Sequence, residues 1–483
     1  MASCRKPAVI DFGEKPLHLS TGAFVVECRA GRVVLEAWNE ERSISRRILS
    51  AHCSKPGVLD CIVQRFGGVK GSLALIDLDR PQTISRSQRS VRQSFAEQFR
   101  RMLGRQFPGW DIQSLTAAPD LRRSFSSLFP RAHLARGSRH LAALTCPSFE
   151  TEPEFISFAL LWFDYLRTRL RPSETLSLCL FLPETAGNLT AHRLRWLSRH
   201  KLKPQLFRFN EHGMAGEVDA SDLGNLETRL LKPGVPEGLA PDLQQLLNSL
   251  TTMRGVGCVP ESDGFSIRFR GLEFARIEGD RVLLGIQTRE TVERTALARV
   301  KAFAAHLSSL SSSSSGRIHG ELPSFPERWF ETAIRANIQL LDSETLPTPI
   351  HGQVLTFAAG ERQLIDLLTV SYRGRLSVIE LKTQEDLHLP IQGLDYWMRI
   401  VWHLERGELS HFFPSIELAK VSPKLLLIAP ALCFHPANEI VLRYFQPEVE
   451  VERIGVNSEW ESKLSIALRL QRADLPISHQ RKR

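Results

Sequence analysis

Three absences narrow what this 483-residue chain can be. None of its eight cysteines (Cys4, Cys28, Cys53, Cys61, Cys146, Cys179, Cys258 and Cys433) forms a C-x-x-C pair, which argues against a zinc ribbon or a dithiol redox motif. Most of them sit in apolar runs and read as buried thiols. No run approaches the roughly 18 consecutive apolar residues of a membrane span, so no membrane association is expected. The opening Met1-Ala-Ser-Cys-Arg-Lys6 lacks the apolar core of a signal peptide. Together these features set the expectation of a reducing cytoplasm. There is also no G-x-x-x-x-G-K-[ST] phosphate loop, so any ATP-driven step would need a partner.

What is present is an ordinary globular composition, 42% apolar and 24% charged. The length suggests about two to four domains. A formal charge of +9 and a pI near 9.3 favour an anionic partner, with nucleic acid the first candidate. The charge reads as spread along the chain. Its small terminal cluster, Arg481-Lys482-Arg483, reads as a solvated tail.

Hydrophobic patterning divides the chain further. Residues 1–80 read as a β-rich module, with a hairpin turning at Ala30-Gly31. Residues 81–215 read as an α/β domain: a helix near 85–106, strands at 111–116, 131–136 and 139–146, then alternating helices and strands to 209. A Gly/Pro-rich connection leads to a small α+β module at 260–307, ending in a helix predicted over 289–307. The serine run at 308–320 is a flexible linker by composition. Beyond it, residues 321–470 predict a helix over 326–342, three strands, a long helix over 390–406, a strand, a helix and a strand, followed by a basic tail at 471–483. That order is αβββαβαβ, a mixed sheet flanked by helices.

Two adjoining strands of this last domain carry chemistry. Asp366 sits inside the apolar run Leu364-Ile365-Asp366-Leu367-Leu368, where a carboxylate is costly unless paired or metal-bound. The next strand ends Val378-Ile379-Glu380-Leu381-Lys382, after the turn Arg373-Gly374-Arg375. Two carboxylates at one sheet edge make a hard oxygen site suited to Mg²⁺, with Mn²⁺ as the alternative. A lysine beside them can hold a water or a phosphate, as phosphodiester hydrolysis requires. The bland readings are an exposed Glu–Lys ion pair and an edge aspartate.

Asp followed by Glu-x-Lys, on successive strands of this element order, resembles the PD-(D/E)XK nuclease superfamily, in its RecB- or NucS-like variant. The likeness covers about a third of the chain. The position before the aspartate departs from the family's name, being Ile365. The resemblance implies a restriction-endonuclease-like αβββαβ core and a nuclease that hydrolyses DNA to 5′-phosphate ends. It implies that Asp366 and Glu380 hold Mg²⁺, with the Leu381 carbonyl as a further ligand and Glu331, ahead of Glu327, as a helix-borne one. Lys382 would orient water. Gln392 would hold phosphate or the lysine. Tyr396, Arg373 and Arg375 would face nucleic acid, and Trp397 reads chiefly as core. A homodimer or a protein partner is left open. The rival reading is a non-catalytic nucleic-acid-binding or scaffold protein on the same fold.

The upstream α/β domain has the same element order and reads either as a degenerate copy or as an unrelated α/β domain. Arg136 to Cys146 echoes Arg373 to Lys382, with Leu144 and Cys146 standing where Glu380 and Lys382 stand. Phe129 and Pro130 lie near the place of the aspartate. Such a copy could not hold Mg²⁺.

Overall fold

The structure is a computed structural model. It describes residues 7–11, 17–19, 24–29, 32–38, 43–55, 57–64, 70–78, 81–219, 228–231, 239–253, 256–261, 264–269, 272–286, 289–310, 326–358 and 361–471. The chain is mixed α/β and divides into two compact units, residues 1–187 with 202–220 and residues 188–201 with 221–483. No described helix is long and apolar enough to cross a membrane.

The first unit begins with an antiparallel sheet over Pro7–Asp11 to Lys70–Asp77. Its inner face packs Val9, Leu35, Ala37, Val63 and Leu73, all fully buried. Phe24–Arg29 pairs with Arg32–Trp38, as expected of a hairpin, although Ala30 and Gly31 themselves lie outside the described residues. Helix α1 (Pro81–Gln106) follows. Next come strands β1 (Asp111–Thr116), β2 (Arg131–Arg136) and β3 (Arg139–Thr145), then helix α2 (Glu152–Arg167) and strand β4 (Thr175–Pro183). Strands β5 (Gln205–Phe209) and β6 (Ala215–Val218) close the sheet. Adjacent strands run antiparallel (β1–β2 and β2–β3), parallel (β3–β4 and β4–β5), then antiparallel (β5–β6). One face of this sheet is sealed by stacked and edge-on aromatics, among them Phe99, Phe107, Phe181 and Phe207.

The second unit takes in a segment from far upstream. Helix α3 (Asn188–Arg195) belongs to it, as does strand β7 (Thr228–Leu231), which falls in what the sequence reads as a Gly/Pro connection. A small module follows: an antiparallel sheet over Val256–Glu261 to Glu290–Val292, covered by the helices Pro241–Thr251 and Ala298–Leu310. The helix predicted over 289–307 therefore starts late. Glu290-Thr291-Val292 adds the last strand of the sheet first, and Val292 is buried there. Residues 308–310 complete that helix, and 311–320 lie outside the described residues.

The rest is one large mixed sheet with helices. Helix α4 (Pro326–Ala336) stops at Asn337, and a single turn, α5 (Ile338–Leu341), replaces the second half of the helix predicted over 326–342. Strands β8 (His351–Ala358), β9 (Glu361–Val370) and β10 (Leu376–Leu381) lead to helix α6 (Leu389–Glu405). Strand β11 (Lys424–Pro430), helix α7 (Ala437–Leu442) and strands β12 (Val451–Val456) and β13 (Ile466–Gln471) complete it. Strand order is β7-β8-β9-β10-β11-β12-β13. From β8 to β13 the directions repeat those of β1 to β6: antiparallel, antiparallel, parallel, parallel, antiparallel. The two sheets thus share element order, strand order and polarity.

Alternation along the strands assigns the faces. Leu367, Ile379, Leu381, Leu426, Ile428 and Ile454 pack with Phe330, Ile334 and Ile338 of α4 and α5. The opposite face receives α6, which lies so close that a Cβ on Gly393 would meet the Leu427 side chain at 2.6 Å. Gly374 turns the β9–β10 hairpin at φ +76°, and a Cβ there would stand 2.0 Å from the Glu417 carbonyl oxygen. Only glycine suits that position.

Candidate active site

Asp366, Glu380 and Lys382 come together at the end of β10. The register pairs Leu367 with Ile379, and one step further sets Asp366 opposite Glu380, with both side chains on the α6 face. The backbone N–H of Leu381 donates to Asp366 Oδ2 at 2.9 Å. Lys382 Nζ lies 3.1 Å from Glu380 Oε1 and 3.9 Å from Glu327 Oε1. The Lys382 backbone is fixed by its own N–H donating to the Ile428 carbonyl at 3.0 Å.

The electrostatics follow from burial. Glu380 is 2% exposed. Desolvation, reinforced by the neighbouring Asp366 carboxylate, pushes its carboxyl well above the ordinary glutamate range. Burial also raises Asp366, although the Leu381 N–H and the Lys382 charge oppose the shift. Burial pulls Lys382 down, but Glu380, Glu327 and Asp366 pull it up and prevail, so the ammonium is held. Tyr396 on α6 is pushed up by burial and then by the Glu380 and Asp366 charges. Gln392 is one turn earlier on the same helix face.

Two oxygens here are buried without a hydrogen-bond partner, Glu380 Oε2 and Gln392 Oε1. An orphaned carboxylate oxygen beside a second carboxylate suits a hard divalent cation, which takes oxygen ligands and keeps several waters. Among the described residues no three His, Cys, Asp or Glu side chains converge as a ready-made metal cage. The donor set is a carboxylate pair, which Mg²⁺ accepts when phosphate oxygens and water supply the rest.

Other expected residues are distributed differently. The helix glutamate that reaches the site is Glu327, at the start of α4. Glu331 is 7% exposed and is turned to Arg335, whose guanidinium burial pulls down and the Glu331 charge pulls back up. Both also crowd Gly352, where a Cβ would meet Glu331 Oε1 and Arg335 Nη2 at 2.7 Å. Phe330 and Ile334 are fully buried and fix the rotation of α4, so the two glutamates, one turn apart, face different neighbours. Leu381 sends its side chain into the core and offers the site only main-chain atoms. Arg373 and Arg375 lie at the turn end of the hairpin, about 20 Å from Glu380 by strand rise. They pair there with Glu344 at 3.3 Å and Glu450 at 2.7 Å. They are therefore not part of this site. Trp397 is fully buried, donates from Nε1 to the Pro423 carbonyl and meets Trp196 edge-on at 4.7 Å.

One set of residues had no sequence signal. Arg193 of α3 makes a two-pronged ion pair with Asp395 of α6, Nε to Oδ1 at 2.8 Å and Nη2 to Oδ2 at 2.6 Å. Both side chains are almost fully buried. The partners are 202 residues apart, so no local pattern links them. The pair holds the helix that presents Gln392 and Tyr396.

The upstream sheet fixes the fate of the corresponding positions. The Cys146 N–H donates to the Phe181 carbonyl at 2.9 Å, just as Lys382 does to Ile428. Leu144 faces Arg131 across β2–β3, where Glu380 faces Asp366. Arg131, rather than Phe129 or Pro130, thus takes the aspartate position. Its guanidinium is 5% exposed, lies over the Phe125 ring at 4.5 Å and donates to the Ala118 carbonyl at 2.7 Å. Burial pushes the Cys146 thiol up to about 12, so no thiolate forms near neutrality.

No family model, no curated protein and no solved structure matches the chain.

Proposed function

We propose that the second unit is a Mg²⁺-dependent nuclease of PD-(D/E)XK type that hydrolyses DNA phosphodiester bonds. The observation that carries this reading is the Asp366–Glu380 pair, Glu380 buried and Asp366 half-buried, with the Lys382 ammonium 3.1 Å from Glu380. A carboxylate pair held off its ordinary ionisation, in a site with a permanent cation at its rim, is costly for stability and suited to charge chemistry. The topology of β8 to β12 with α4 and α6 supports the same reading.

Within it, Asp366 and Glu380 would hold the divalent ion, and Glu380 gives up its proton to do so. The ion supplies charge neutralisation at the phosphate and lowers the cost of water attack. Lys382 steadies the attacked phosphate and the approaching water. Gln392 offers an amide to a phosphate oxygen, and Tyr396 walls the site from solvent. Water adds to phosphorus and releases a proton to solvent, the bond to the 3′ oxygen breaks, and the departing oxygen takes a proton from solvent, leaving a 5′-phosphate.

The test is cleavage of supercoiled plasmid and single-stranded circular DNA with Mg²⁺, Mn²⁺ or EDTA. Asp366→Ala and Lys382→Ala are expected to abolish metal-dependent cutting while remaining folded. Undiminished cutting by both variants would rule the assignment out.

A second reading has its own observation. With one carboxyl of the pair protonated, the Lys382 ammonium beside Glu380 balances the other, so the triad is electrostatically closed without metal. A non-catalytic nucleic-acid-binding scaffold would look the same. Mg²⁺-dependent thermal stabilisation that Asp366→Ala removes, accompanied by turnover, favours the nuclease; neither effect favours the scaffold.

A further inference from the structure

Divided along the domains of the structure, the positive charge is not evenly spread. The first unit, residues 1–187 with 202–220, holds 28 Lys/Arg against 21 Asp/Glu, whereas the second, residues 188–201 with 221–483, holds 34 against 32. The unit with the carboxylate site is therefore close to neutral at +2, and +7 of the net +9 belongs to the first unit. A unit that acts on a polyanion gains little from so small a net charge, so more of the attraction is expected from the first unit.

In the first unit the charge gathers at one end of the sheet. Arg136 and Arg139 face each other directly across the β2–β3 hairpin, and both are exposed. Like charges opposite one another in a ladder are destabilising. The chain leaving α2 returns to this turn, with the Thr175 N–H donating to the Ser138 carbonyl at 2.9 Å, and it brings exposed Arg169 and Arg171 with it. Arg136, Arg139 and Arg171 make no ion pair among the described residues. The nearby Glu174 accepts from the Arg171 backbone N–H and lies 3.8 Å from His140. Aromatic rings orient two of the guanidiniums, Arg169 over Tyr165 at 3.6 Å and Arg139 over Trp110 at 5.5 Å, while Arg123, over Tyr165 at 5.1 Å, is ion-paired with Asp120.

We propose that this hairpin end of the degenerate copy binds the phosphate backbone of nucleic acid without reading bases, and so supplies the substrate affinity that the carboxylate domain lacks. The copy has lost Asp, Glu and Lys from its own site but keeps a use as the holding half. This inference rests on the reading of the second unit as acting on nucleic acid. A planar, ring-backed guanidinium suits phosphate oxygens better than it suits a lipid surface.

The experiment is fluorescence anisotropy with the full chain in EDTA, using short labelled duplex and single-stranded DNA over a range of salt. Lys382→Ala serves as the background, so no cleavage intervenes. The triple variant Arg136→Glu, Arg139→Glu, Arg171→Glu is expected to bind about tenfold or more weakly, with a log K against log salt slope shallower by about 2 to 3. The corresponding triple Lys variant keeps most of the slope. Unchanged affinity and slope in the Glu triple overturn the proposal. So does a Lys triple as weak as the Glu triple, or a Glu triple that loses only binding to phosphatidylserine vesicles. Binding that depends on these arginines in a chain that never cuts DNA would sink the nuclease and leave this surface standing.

Discussion

Glu380 is buried beside a second carboxylate, and burial first and Asp366 second hold its carboxyl well above the ordinary range. Between the ordinary glutamate value and the raised one, the folded state keeps a proton that the unfolded chain has released. Stability from this group therefore falls as pH rises through that window. Asp366 acts with the same sign, and the raised Lys382 contributes stability that is lost only at strongly alkaline pH. Glu380→Gln, an uncharged isostere, is expected to melt within about 1 kcal/mol of wild type or above it, with the advantage growing from mildly acid to mildly alkaline pH in EDTA. Thermal melts across that range check it, and a variant that loses stability most at high pH contradicts it. His192 has the opposite sign. Burial pushes it down to about 4, so its contribution is present above the ordinary imidazole value and lost as pH falls through 4. His192→Gln should recover up to about 3 kcal/mol relative to wild type at the acid end, measured by urea unfolding. Parallel wild-type and variant curves would show that the imidazole is not the sensor.

At the scale of elements, helix α6 is set from two sides. Gly393 lets it lie close on β11, and Asp395 ties it to α3 through Arg193. Removing one partner of a buried, two-pronged pair leaves an uncompensated charge, so Arg193→Ala is expected to cost about 3–5 kcal/mol. The apolar double replacement Arg193→Met with Asp395→Leu should cost clearly less, because it removes both charges. Denaturant titrations of the single and double variants decide this, and equal losses in the two would argue that packing, not the charge pair, holds the helix. The helix glutamates show why such geometry escapes a sequence reading. The sequence reading favours Glu331 over Glu327. The burial of Phe330 and Ile334 against β9 and β10 instead rotates Glu327 toward Lys382 and Glu331 toward Arg335.

At the scale of the whole chain, the carboxylate domain is not the contiguous block 321–470. Strand β7 pairs with β8 from Leu231↔Leu355 to Thr228↔Ala358, and α3 arrives from residues 188–195. A fragment of residues 321–471 lacks both and leaves the β8 edge unpaired. It is expected to be poorly soluble or to melt well below a fragment spanning 188–483, as circular dichroism and limited proteolysis would show. Equal melting of the two fragments would mean that the added segments pack without stabilising.

The sequence alone determined most of the elements and singled out the residues of the candidate site. Asp366 within an apolar run and Glu380-x-Lys382 at a strand end are local patterns, because a strand's period of two and the cost of burying a carboxylate are local facts. The order αβββαβαβ, and the presence of Leu144 and Cys146 rather than an acid and a lysine at the equivalent strand end upstream, were legible for the same reason. Tertiary structure decided what depends on pairs distant in the chain. It placed Arg131 at the aspartate's register, chose Glu327 over Glu331, moved Arg373 and Arg375 to the far end of the hairpin, and joined Arg193 to Asp395. Register, helix rotation and buried ion pairing are set by the packing of side chains that no sequence window holds together.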